Sequence, residues 1–213
     1  MLSSRPDPDN PWPREMVITI EDTSHQLLDL LWVRQAWALE PVGDDLPPAL
    51  VETPASVSAS ERAKAPIAEW QDAWPELWHA CLLHAGTPTD PRTIELLKAS
   101  PLGSDERMRL LAELTGPSWR DRFGGDVFVE EYEQWQHDFF ERHRERSSLP
   151  YRVQPEPLAL DALVPAWRLG LTKIVEIPCR GTFTRVVGPH GMLVTAETRA
   201  DPVRYLAALE QFS

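Results

Sequence analysis

The sequence predicts an α+β protein, a mostly helical single domain with a small C-terminal antiparallel β-sheet that an N-terminal strand can join. Three observations carry that expectation. Capped segments of helical period fill most of the chain from residue 24 to 169, and three β-type runs follow after Leu171. The composition, 42% hydrophobic and 25% charged over 213 residues, is that of a globular chain long enough for one sizeable core.

Residues 1–14, "MLSSRPDPDNPWPR", are proline-rich and polar, and are expected to be an extended or disordered tail before one globular domain over 15–213. "MVITI" (16–20) is a short β-rich run. In "EDTSHQLLDLLWVRQAWALEP", Thr23 or Ser24 can cap a helix that runs on until Pro41 stops it. Leu27, Leu28, Leu31, Trp32 and Leu39 spread round that helix, which predicts burial on more than one side. Residues 41–60 contain Pro41, Pro47, Pro48 and Pro54 and read as a long irregular crossing, either a functional cover or a mobile segment.

A helical piece begins near Ser60, and Pro66 and Pro75 divide the Trp-rich stretch that follows, with Pro75 in a first helical turn after Asp72. "TDPRTIELLKAS" has Asp90 as cap with Pro91 next, and "GSDERMRLLAELTGP" has Ser104 as cap, acids in its first turn and a Gly116-Pro117 stop. Over 126–147, Phe128, Tyr132, Trp135 and Phe139 form one apolar stripe on a helix otherwise rich in Glu. A short helix over 159–169 ends at Gly170. "LTKIVEIPC", "GTFTRVV" and "GMLVTAE" are the β-type runs, and Gly188-Pro189-His190-Gly191 supplies a hairpin turn. The last helix, capped by Asp201, is expected to pack through Val203, Leu206 and Phe212.

The net charge of −12 disfavours nucleic acid and anionic membrane surfaces, and it suits a basic partner. No apolar run reaches transmembrane length and the N-terminus lacks the apolar stretch of a signal peptide. The two cysteines, Cys81 and Cys179, make no disulfide framework, so the expected setting is cytoplasmic with both thiols reduced.

Candidate chemistry is sparse. A step of four turns a helix by about 400°, so Trp70, Trp74 and Trp78 share a stripe that is either core or a ligand-stacking wall. His79 and His84 are about 140° apart on a helix and cannot grip one metal. Cys81 with His84 could, but two ligands fall short of a structural zinc. Glu133, His137 and Glu141 spread over about 12 Å and would need carboxylates from another element. Cys179, at a strand end beside Arg180, has the look of a nucleophile, yet His190 sits at the far tip of the hairpin, about 23 Å from Gly181 by strand rise. Arg185 is the sixth residue after Cys179, but the segment between them reads as strand and not as a phosphate-binding loop. Glycine-loop nucleotide motifs, the nucleophile-elbow serine, HExxH and CxxC are all missing, so the sequence holds no complete catalytic motif and implies no cofactor and no metal.

Three readings follow. The first is a non-enzymatic interaction module with an acidic surface, whose exposed aromatics would also allow a homodimer. The second is a small-ligand binder or enzyme with a pocket between the Trp helix, segment 41–60 and the sheet, lined by Trp74, Trp78, Arg180, Thr182, Thr184 and Arg185. The third is a metal-dependent hydrolase with ligands from separate elements.

Overall fold

The structure, a computed structural model, describes residues 12–147, 150 and 153–212. In chain order the elements are β1 (Thr19–Glu21), α1 (His25–Ala36), α2 (Ala59–Arg62), α3 (Ile67–Gly86), α4 (Pro91–Ala99), α5 (Asp105–Thr115), α6 (Trp119–Phe123), α7 (Glu130–Ser147), α8 (Pro155–Leu158) and α9 (Leu160–Arg168). Then come β2 (Lys173–Ile177), β3 (Thr184–Val187), β4 (Gly191–Thr195), α10 (Ala196–Ala200) and α11 (Pro202–Leu209). The tail expected over 1–14 lies outside the described residues as far as residue 11. Trp12 packs against the smaller of two apolar clusters.

The N-terminal strand does join the sheet, as residues 19–21. The expectation of an all-antiparallel sheet is corrected: the order is β1-β2-β4-β3, with β1–β2 and β2–β4 parallel and β3–β4 an antiparallel hairpin. The reason is burial. Every residue of β2 and β4 is buried, so these are central strands covered on both faces, which is the setting in which parallel pairing occurs. Alternation assigns their side chains. Ile174, Met192 and Val194 face one cluster with α9 and α11, while Val175, Ile177 and Leu193 face a larger cluster with α1 and α3. The molecule is thus a thick helical layer, a four-stranded sheet and a thin helical layer.

α1 is buried nearly all round, through Leu27, Leu28, Leu30, Leu31, Trp32 and Val33. It stops at Ala36, earlier than Pro41 would require. The amide of Leu39 donates to Arg34 O (2.8 Å) and that of Ala38 to Gln35 O (3.1 Å), a Schellman closure in which Ala38 takes the left-handed position at φ 47°. α3 corrects the expected break at Pro75, because one helix spans Ile67–Gly86 with the proline inside it. A mid-helix proline costs about 3 kcal/mol. Burying one indole of 150–250 Å² returns about 4–6 kcal/mol, and Trp70, Trp74 and Trp78 are buried on both sides of the proline.

The caps at Asp90, Ser104 and Asp201 accept the expected backbone N–H groups. α7 begins at Glu130 rather than 126, and Trp119–Phe123 forms a separate short helix before it. In the last helix Val203 is 76% exposed, while Leu206 packs as expected together with Tyr205, Ala208 and Leu209, and Phe212 packs just beyond the helix end. α3 descends on the hairpin through two glycines: a Cβ on Gly191 would lie 2.5 Å from Gly86 O, so no larger residue fits there.

Segment 41–60 is a docked strap. Leu50 N donates to the Gln35 side chain and the Arg34 guanidinium donates to Pro47 O. Leu50 forms a bridge with Cys179, Val51 N donates to Pro178 O (2.9 Å) and Arg180 N to Ala49 O (2.8 Å). None of the helices is long and apolar enough to cross a membrane among the described residues.

Candidate functional site

The Trp stripe is core. Trp74 and Trp78 are 0% exposed and stack with centroids 5.4 Å apart and planes 6° from parallel. Trp74 donates its indole N–H to Leu30 O (2.9 Å), and the Arg34 guanidinium lies 5.4 Å from its ring centroid. Trp70 meets Trp37 and Trp119 edge to face. Trp74 and Trp78 therefore offer no surface to a ligand.

The two arginines of the expected pocket serve the strap. Arg180 donates to Val51 O and to the Thr53 hydroxyl (3.1 Å each), and Arg185 pairs with Asp45 while its guanidinium lies 4.8 Å from the Phe183 ring centroid. Thr184 is buried in β3 and Thr182 is exposed beside it. Arg180 and Arg185 thus fasten segment 41–60.

The thiols are shielded. Burial, opposed by the nearby Arg34, pushes Cys179 up to about 12, and burial with Asp121 and Asp29 pushes Cys81 up to about 12, so neither is a thiolate near neutrality. Cys81 donates to Pro117 O (3.1 Å), and the His84 ring bonds Glu113 O (2.9 Å). His190 bonds Gly170 O at the opposite end of the parallel strands from Cys179, so the two are not a dyad. Glu133, His137 and Glu141 lie along α7, and no group of three or more potential metal ligands converges among the described residues.

Two buried polar clusters were missed by the sequence reading. In the larger cluster the Tyr132 hydroxyl donates to Asp29, with Arg120 Nε 3.8 Å from the same carboxylate. Burial raises the Asp29 carboxyl, and the Tyr132 hydrogen bond, Arg120 and His25 offset this in part. Beneath the sheet Arg199 reaches Glu156 (2.8 and 2.9 Å) and Glu176 (2.8 Å), and the Tyr205 hydroxyl donates to Glu156 (3.1 Å). Burial alone would lower the Arg199 guanidinium, but the bonds and charges of Glu156 and Glu176 outweigh it and hold it above its ordinary value. The Arg199 cluster is enclosed by the fold, while the Asp29 cluster reaches solvent through the half-exposed Arg120.

Two surface features stay open. The first is a cavity of about 310 Å³ lined by Leu50, Val51, Glu52, Trp135, Phe139, Arg142, Glu145, Pro178 and Ala196. It lies between the strap, the sheet end and α7, and none of Trp74, Trp78, Arg180, Thr182, Thr184 and Arg185 is among its lining residues. One signal was present in the sequence: Tyr132, Trp135, Phe139 and Arg142 follow at 3, 4 and 3, so the apolar stripe ends in a cation. A larger depression beside Glu130, Glu131, Glu133 and Gln134 is wide open and has no apolar wall of its own. The second feature is the α4–α5 hairpin. α4 buries Thr93 and α5 buries Leu110, while Ile94, Leu96, Leu102, Met108 and Leu111 are exposed, Leu102 at 88%.

Compared with known proteins, the chain matches no family model, no curated sequence and no solved structure.

Proposed function

We propose that the chain is a non-enzymatic interaction protein of the cytoplasm that docks a basic partner on its α4–α5 hairpin. The observation that carries this is the hairpin itself: two well-capped helices and the turn between them, which present five large apolar side chains to solvent. Clustered exposed apolar residues are the usual mark of a protein interface. Charge supports the choice of partner. Residues 91–115 carry four basic and four acidic side chains, so the hairpin is neutral overall on a chain of net charge −12. A neutral apolar hairpin is inexpensive to dry, and the surrounding negative field draws a cationic surface and opposes a second copy. The free, buried cysteines suit a reducing compartment.

The test is quantitative affinity capture from the producing cells with wild type and with Leu102→Asp/Met108→Asp, both exposed positions. The reading expects a basic protein held by wild type, lost by the double variant and released by raised salt. Identical captures by both forms, or concentration-dependent dimerisation that the variant abolishes, would overturn the basic-partner reading.

A further inference from the structure

We propose that the cavity between the strap and α7 is a binding site for a small uncharged molecule built on an apolar ring, 2-phenylethanol being a simple member of the class. Placement comes first. β2 ends at Ile177 and its parallel neighbour β4 at Thr195, and the next residue of each, Pro178 and Ala196, lines the cavity. The crevice beyond the carboxyl ends of parallel strands is where sheets with helices on both faces hold their ligands. At about 310 Å³ the space is at the lower end of small-molecule sites, which run from roughly 300 Å³ upward, and it suits a ligand of one ring.

The walls set the body of the ligand. Leu50, Val51, Pro178 and Ala196 are aliphatic, and Trp135 and Phe139 stack with centroids 5.6 Å apart and planes 18° from parallel. An apolar ring gains by leaving water for such walls, and the aromatic pair accepts it in stacked or edge-on contact. The polar groups of the walls set the charge, because they are already in use. The amide of Leu50 donates to the Gln35 side chain, that of Val51 donates to Pro178 O, and Val51 O accepts from Arg180. Arg142 pairs with Glu52, and Glu145 has a partner of its own. An ion of either sign would exchange its hydration for apolar walls and find no unspent countercharge, a penalty that a neutral ring does not meet. The site is also built from elements that other contacts fix: the strap through the Cys179 bridge and the Val51–Pro178 bond, and α7 through the buried Tyr132, Trp135 and Phe139. The cavity is therefore formed before any ligand arrives, which lowers the ordering cost of binding.

The experiment is calorimetric and NMR titration of the full chain at pH 7 with 2-phenylethanol, and in parallel with 2-phenylethylammonium and phenylacetate as cationic and anionic counterparts of the same size. The proposal expects the alcohol to bind at least tenfold more tightly than either ion and to shift the indole N–H signal of Trp135, assigned with Trp135→Phe. Ala196→Leu should fill the space and weaken the alcohol at least tenfold with an unchanged circular dichroism spectrum. Glu52→Gln, at an exposed position, releases the Arg142 guanidinium from its pair, so this variant should bind phenylacetate about fivefold more tightly than wild type and the alcohol as before. Equal affinity for the three compounds, preference for either ion, no binding at millimolar concentration, binding that leaves Trp135 unmoved, or no gain for phenylacetate in Glu52→Gln would each overturn the proposal. The Leu102→Asp/Met108→Asp variant should bind the alcohol as wild type does, so failure of the docking reading and failure of this site are told apart.

Discussion

The two cores on either side of the sheet are built on different principles. The larger cluster holds seven of the nine tryptophans and leaves the indole N–H groups of Trp32, Trp78 and Trp119 without a hydrogen-bond partner. The smaller cluster is mainly aliphatic, with Tyr205 and Phe212 its buried aromatics, yet it closes over Arg199, Glu156, Glu176 and Tyr205 with each of the four bonded to another. Magnitudes explain how both persist. An unpaired buried donor costs about 1–3 kcal/mol, which an indole's own burial of about 4–6 kcal/mol exceeds. An unpaired buried charge costs more than the surrounding aliphatic groups return, so there the network must be complete.

The sharpest way to break this contrast is Arg199→Ala. It leaves two carboxylates buried together, and unfolding in urea should show a loss of about 3–5 kcal/mol. The same method compares Trp74→Phe with Trp78→Phe. Both lose ring volume, but the first also loses the bond to Leu30 O and the second removes an unpaired donor, so Trp74→Phe should be the more costly by about 1–2 kcal/mol.

Asp29 is a buried acid of the larger core, and it tests the contrast through pH. Its carboxyl is raised when folded, so the native state holds the proton more tightly than the unfolded chain does. The stabilisation is present below the ordinary carboxylate value of about 3.9 and is lost as pH rises through the folded value. Relative to wild type, Asp29→Asn should therefore gain stability as pH is raised from acid to neutral, measured as melting temperature against pH. A difference that stays flat with pH would show that Asp29 titrates normally. The smallest expected effect is Ala38→Gly at the end of α1. The left-handed conformation costs a non-glycine residue about 1–2 kcal/mol, and glycine's greater unfolded entropy takes back part, so a net gain of about 0.5–1 kcal/mol is expected in urea.

Much of the fold was legible because its signals are local. Asp90, Ser104 and Asp201 announce their helices, the stripe of Tyr132, Trp135 and Phe139 announces α7, and Gly188-Pro189-His190-Gly191 announces the hairpin. What was not legible depends on partners far away in sequence. Pro75 looks like a stop until the burial of Trp74 and Trp78 is known. The parallel pairing of β2 depends on β1 and β4 flanking it, with helices from both ends of the chain over its faces. The candidate site divides in the same way. Arg180 and Arg185 stood out as candidate pocket residues, but nothing local shows that they are spent on Val51, Thr53 and Asp45. Arg142 and Glu52 come together only through the docking of the strap against α7.

The pairing of Thr19 with Lys173 has a consequence in time. The strand that leaves the ribosome first cannot find its neighbour until most of the chain has followed. The strap waits equally long for Pro178, Cys179 and Arg180. Contacts this distant in sequence carry a high loop-closure cost and slow the search for the native state. Through most of its synthesis the chain must therefore carry α1, apolar on nearly every side, without the sheet that will cover it. A nascent chain of this design is a natural client for a chaperone that shields exposed leucine and tryptophan until the last strands arrive.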